Sequence, residues 1–136
     1  MMTEDKRITY ATICGKDYPL CLTVAAEQKI IDTFGGLEAM ANRMTEGEMG
    51  IPMTAQLAHI LLEGGNKRVK ALAWMEGEEA DTRDVPPLEV LMDVLDLKDA
   101  NELGSKLFEA IRVSRGVTVE VAEDAEEGKN GETTQE

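Results

Sequence analysis

The apolar residues of this chain repeat at every second position near the N-terminus and at every third or fourth position thereafter. Over Ile8–Leu22 (ITYATICGKDYPLCL) the alternation is that of extended backbone, with Thr9, Ala11 and Ile13 on one face and Ile8, Tyr10, Thr12 and Cys14 on the other. Gly15, within Cys14-Gly15-Lys16-Asp17, supplies the positive φ that a tight hairpin turn needs. Tyr18, Leu20 and Leu22 alternate on the return. Pro19 has no N–H to give to a ladder, which makes the return strand an edge. The segment is predicted to be a β-hairpin, and because two strands alone are marginal in water it must lean on other elements.

From Thr23 the period changes to that of a helix. Thr23 is placed to cap a helix running to about Phe34, with Ala26, Ile30, Ile31 and Phe34 on its apolar face and Gly35-Gly36 as its stop. A second helix, from Leu37 to about Met44, turns Leu37, Met40, Ala41 and Met44 inward. Residues 45–51 (TEGEMGI) read as a loop. Pro52 suits the first turn of a helix to Glu63, with Met53, Leu57, Ile60 and Leu61 inward. Gly64-Gly65 reads as a break, and Asn66 as the cap of a separate helix, Lys67–Met75, that buries Val69, Leu72 and Ala73.

The polar stretch 76–84 (EGEEADTRD) reads as a surface loop. Pro86-Pro87 opens a helix carrying Leu88, Leu91, Met92 and Leu95, and a last helix from about Asp99 to Arg115 buries Ala100, Leu103, Leu107, Phe108 and Ile111. Arg112 and Arg115 fall in its final turn, where cations favour the negative dipole end, and Gly116 ends it. Residues 117–121 (VTVEV) alternate once more, as a third strand able to dock on the hairpin edge. The acidic remainder lacks the apolar surface to offset ordering entropy and is expected to be disordered. The predicted fold class is α+β: residues 1–116 form an N-terminal β-hairpin packed on a mainly α-helical domain of about six short helices, and residues 117–136 form an acidic tail.

Composition narrows the function. The formal net charge is −13, of which −6 falls in residues 117–136, where seven acids face Lys129 alone. Nucleic-acid binding requires a basic stripe that displaces counterions from phosphates. The one basic cluster, Lys67, Arg68 and Lys70, is small in so acidic a chain, so nucleic acid and anionic membranes are not expected partners. No apolar run is long enough for a membrane span, and the first ten residues are too polar for a secretory signal. A cytoplasmic protein is expected. Cys14 and Cys21 have no CxxC or Cys/His spacing and read as inert, partly buried thiols. Aromatic residues make up 4% of the chain, so Leu, Ile, Val, Ala and eight methionines must build both core and contact surfaces.

The search for catalytic chemistry yields no constellation. His59, the single histidine, stands among apolar residues without a partner nucleophile and reads as a boundary-position structural residue. Gly64-Gly65-Asn66-Lys67 departs from the phosphate-loop pattern and follows a predicted helix rather than a strand. Glu76, Glu78, Glu79, Asp81 and Asp84 lack the order of a calcium loop and read as a solvated charge run. No catalytic, cofactor-binding or metal-binding residue is assigned, and no enzyme is expected. Candidate partner-binding residues are Met49 in its loop, Met53, and Trp74. A single Trp is an ordinary core or boundary residue as well as a frequent interface anchor.

The hairpin with its Gly-Lys-Asp-Tyr-Pro-Leu turn and return strand, the helix ending in Phe-Gly-Gly-Leu-Glu-Ala-Met, the Ala- and Leu-rich helical middle and the acidic C-terminus resemble the tail assembly chaperones of long-tailed bacteriophages and prophages. The resemblance spans roughly residues 7–115 and carries no catalytic motif. It implies a non-enzymatic protein of the bacterial cytoplasm, absent from the finished virion. Such a protein binds the aggregation-prone tape measure protein, and with it the tail tube protein, during tail morphogenesis. In several such phages a ribosomal frameshift extends the protein, and Lys129-Asn130 is compatible with a slippery codon pair. Other readings of the same features are a structural tail or head–tail component retained in the virion, an acidic protein-binding adaptor, and an acidic inhibitor imitating DNA.

Overall fold

The computed structural model describes residues 7–45 and 50–115. Among them are one antiparallel hairpin, β1 (Thr9–Ile13) and β2 (Lys16–Leu20), and five helices: α1 (Val24–Phe34), α2 (Leu37–Thr45), α3 (Ile51–Met75), α4 (Leu88–Val94) and α5 (Leu97–Ser114). The hairpin packs on the helical body, as the marginal stability of two strands alone requires. Thr9, Ala11, Ile13, Tyr18 and Leu20 are buried, while Tyr10 and Thr12 face out. Residues 117–121, the predicted third strand, and the acidic tail lie outside the described residues, as do Met49 and the Met44 side chain.

The hairpin register is Thr9↔Leu20, Ala11↔Tyr18 and Ile13↔Lys16, with Tyr10↔Pro19 and Thr12↔Asp17 between them. Its loop is the two residues Cys14 and Gly15, both at positive φ (53° and 79°), as a type I′ turn requires. The turn is tight, as expected, and Cys14 lies within it, exposed rather than partly buried. In such a hairpin the residues flanking the loop exchange ladder hydrogen bonds and the pattern alternates from there. The odd-numbered residues of β1 and the even-numbered residues of β2 therefore carry the ladder. Pro19 occupies a position where the ladder asks for no N–H.

Continuing the register two residues beyond Thr9↔Leu20 brings Arg7 opposite Leu22, and here a serine from α5 completes the ladder. The Leu22 N–H donates to Ser114 Oγ at 2.9 Å, and Ser114 Oγ in turn lies 3.3 Å from the Arg7 carbonyl. Arg7 Nη1 also donates to the Ser114 carbonyl at 3.0 Å. The last turn of α5 is thereby pinned to the open end of the hairpin.

The largest departure from the sequence reading lies in α3. Two helices separated by a Gly64-Gly65 break were expected, with Asn66 as a cap. The structure has one helix of 25 residues running through both glycines, with Asn66 buried inside it, so the described residues form five helices rather than about six. Two helical glycines cost about 1 kcal/mol each relative to alanine, and close packing explains their presence. A Cβ on Gly64 would collide with the Cys21 carbonyl oxygen, and one on Gly65 with the Pro19 carbonyl and, at 2.8 Å, with the Leu20 nitrogen. Between these points the Cys21 N–H donates to the Leu61 carbonyl at 3.1 Å. The helix backbone lies directly against the backbone of the return strand, an approach only glycine permits.

The remaining helix signals behave as ordinary end chemistry. Thr23 Oγ1 accepts from the Ala26 N–H at 3.0 Å, and Gly35, at φ 89°, closes α1 by donating to the Ile31 carbonyl. Asp96 caps α5 through Asp99 N–H at 2.8 Å. Leu20, Ile30, Met40, Leu57, Leu61, Leu62, Leu91 and Leu107 are fully buried and join hairpin and helices in one core. Some residues expected inside are not. Ile31 is 47% exposed and Met92 46%, and Ala41 is exposed, because α1, α2 and α4 are each covered on a narrower stripe than their apolar residues would fill.

Four substitutions test this account. Gly64→Ala and Gly65→Ala should each lower the unfolding free energy by about 1–3 kcal/mol through overpacking, against their own gain in helix propensity. Gly104→Ala in α5, where an added Cβ meets nothing within 4 Å, should raise it by roughly 0.5–1 kcal/mol. Ser114→Ala should cost about 1–2 kcal/mol by leaving the Leu22 N–H without its acceptor. Urea unfolding followed by circular dichroism measures all four variants.

Candidate functional site

The candidate partner-binding residues separate in space. Met53 is half-buried against the core at the start of α3, and Trp74 is 80% exposed at its end. At 1.5 Å per residue the two stand about 30 Å apart along the helix. They therefore form no common site. The core or boundary position considered for Trp74 is not what the structure shows: its ring projects from the last turn beside Met75, itself 73% exposed. The acid-rich segment beginning at Glu76 follows directly, so an apolar tip is bordered by negative charge.

Two grooves flank α5, on roughly opposite faces of that helix. One, of about 380 Å³, lies between α2 and the C-terminal half of α5. Its walls are Leu37, Met40 and Ala41 on one side and Phe108 and Ile111 on the other, with Glu38 and Arg115 as its charged margins. Arg115 is held there by Glu27 Oε2 at 3.6 Å, an exposed pair that positions more than it stabilises. The other groove, of about 420 Å³, lies between β1 and the first half of α5. Ala11 and Ile13 face Leu95 and Leu103 across it, and Asp17, Asp99 and Glu102 supply acidic groups. Lys106 also borders it, with its ammonium 3.4 Å from Glu109.

The two edges of the hairpin are treated differently. Along the outer edge of β2 the Asp17 carbonyl accepts from Arg83 Nε at 3.1 Å, Gly65 covers the Pro19 carbonyl, and Leu61 and Gly64 cover the N–H and carbonyl of Cys21. Arg83 also lies over the Tyr18 ring, 5.6 Å from its centroid. The outer edge of β1, where Tyr10 and Thr12 turn their N–H and carbonyl groups away from the ladder, opens onto the second groove.

His59 Nε2 lies 3.6 Å from Glu63 Oε2, one helical turn on, and Glu63 also meets Lys29 Nζ at 3.5 Å. The histidine is partly exposed on α3 and borders neither groove. Among the described residues no three acids, cysteines or histidines come together as metal ligands, and no helix is long and apolar enough to cross a membrane.

Several exposed apolar residues escaped the sequence reading. Val24 is 90% exposed, and it shares the outer face of α1 with Ile31, seven residues on. Val90 and Val94, each 40% exposed, stand one turn apart on α4, and Leu97, 66% exposed, opens α5. The available signal was a surplus of apolar positions over what one stripe per helix can bury. Comparison with protein-family models, curated proteins and solved structures finds no match to the chain.

The position of Trp74 has a direct check. Its fluorescence should be that of a solvated indole, open to acrylamide and less open to iodide because of the acids that follow. Trp74→Ala should leave stability within about 0.5 kcal/mol of the parent. A blue-shifted, unquenchable emission would place the ring elsewhere.

Proposed function

We propose that this chain is a non-enzymatic tail assembly chaperone of a long-tailed phage or prophage. It acts in the cytoplasm of the bacterial host and binds the tape measure protein while the tail tube is built. The observation that carries the reading is the apolar groove between α2 and α5. A row of aliphatic side chains with Phe108 at one wall and single charges at the margins suits the apolar face of a partner helix. The exposed Trp74–Met75 tip and the stripes on α1 and α4 add apolar surface beyond it. The resemblance carried by the Gly-Lys-Asp-Tyr-Pro-Leu hairpin supplies the identity of the partner.

In this mechanism the chaperone covers apolar helical stretches of a long protein that would otherwise self-associate. The charge of −13 keeps the complex soluble by repulsion. Co-expression with the tape-measure gene of the same genome tests the proposal. The two proteins should co-purify, and the tape measure protein should shift to the soluble fraction. Ala41→Arg, which fills the groove from an exposed helical position, should reduce recovery of the complex about tenfold without loss of fold. Absence of co-purification and of any gain in solubility would refute it, and recovery of the protein from purified virions would make it a structural component instead.

A further inference from the structure

We infer that the open edge of β1 is a docking strand, to which an extended, basic segment of another protein adds as a third strand. The inference goes beyond the helix-binding groove and does not depend on it. β2 and β1 have the same length and equal need for edge partners, yet along β2 and into Cys21 the outward carbonyls of Asp17, Pro19 and Cys21 and the Cys21 N–H are all covered. On β1 the outward groups of Tyr10 and Thr12 face the groove and have no partner among the described residues. An uncovered strand edge is a template for pairing.

The groove is also shaped for a strand. Beside the edge its floor is the apolar pair Leu95 and Leu103, which suits the alternate inward side chains of an added strand. Its charged groups are Asp17, Asp99 and Glu102 against Lys106, whose charge is partly met by Glu109. The outward side chains of an occupant are thus best basic. Charge also argues against two other occupants. The chain's own residues 117–121 carry Glu120 as their one charge, and the residues after them carry six acids and one lysine. A second copy paired through β1 would bring two sets of these acids together. Both have the wrong sign.

Isotope-labelled full-length protein titrated with a short peptide of alternating valine and lysine tests the inference by NMR. The Tyr10 and Thr12 amides should shift first, and their hydrogen exchange should slow by about tenfold or more at saturation. Binding should weaken with added salt. Replacing lysine by glutamate in the peptide, or methylating alternate backbone nitrogens, should abolish it. Asp99→Asn combined with Glu102→Gln should weaken binding at least about fivefold while leaving the spectrum of the core unchanged. Thr12→Pro removes an outward N–H at a register position where the ladder uses none, as Pro19 shows on the partner strand, and should abolish the slowing of exchange at this edge. Equal response to the lysine and glutamate peptides, or no response, would overturn the inference. So would strong protection of Tyr10 and Thr12 in the free monomer, which would mean that the chain fills its own edge, or protection that appears only on self-association.

Discussion

The contact on which the rest of the structure depends is backbone against backbone, where α3 lies on the return strand of the hairpin at Gly64 and Gly65. A two-stranded sheet has little stability of its own, and here one of its strands is closed by a helix rather than by a third strand. The Cys21 N–H shares the Leu61 carbonyl, and the Pro19 and Cys21 carbonyls lie where side chains at the two glycines would otherwise stand. Because the approach is so close, Leu20, Leu61 and Leu62 can meet in one core instead of two half-cores. The loss in helix propensity at two positions is offset by the burial that the contact allows.

Much of the architecture was legible in the sequence because the residues concerned act locally. Alternation alone separated the two faces of β1, though not which of them is buried. The cap at Thr23, the αL stop at Gly35, the proline in the first turn of α3 and the cations in the last turn of α5 each follow from one residue's own chemistry. What the sequence concealed was long-range. Two glycines between helical runs look the same whether they end a helix or admit a strand, and the return strand that decides the matter lies over forty residues away in sequence. Ser114 likewise looks like an ordinary polar residue near a helix end until the register of the hairpin shows which ladder step it fills.

The candidate contact surface was legible only in part. Trp74 was recognisable as a possible anchor by residue type, but its exposure depends on α3 running past the two glycines to carry it clear of the body. Met53, of similar promise by type, is drawn against the core instead. The grooves on either side of α5 were invisible, since each is made of residues from distant elements, Leu37 with Phe108 and Ala11 with Leu103. They give the molecule two different faces, one lined mainly by aliphatic side chains, the other by a strand edge and acidic groups.

The serine stitch at the end of α5 has a mechanical consequence. Any load applied to the chain beyond Arg115 enters the body next to the first step of the sheet, where one hydroxyl joins Arg7 to Leu22. Such a pull is borne first by a few short-range hydrogen bonds at the periphery, which can yield and re-form while the packed leucines stay undisturbed. A cargo tethered at that point would thus be attached through a compliant joint to a stiff frame.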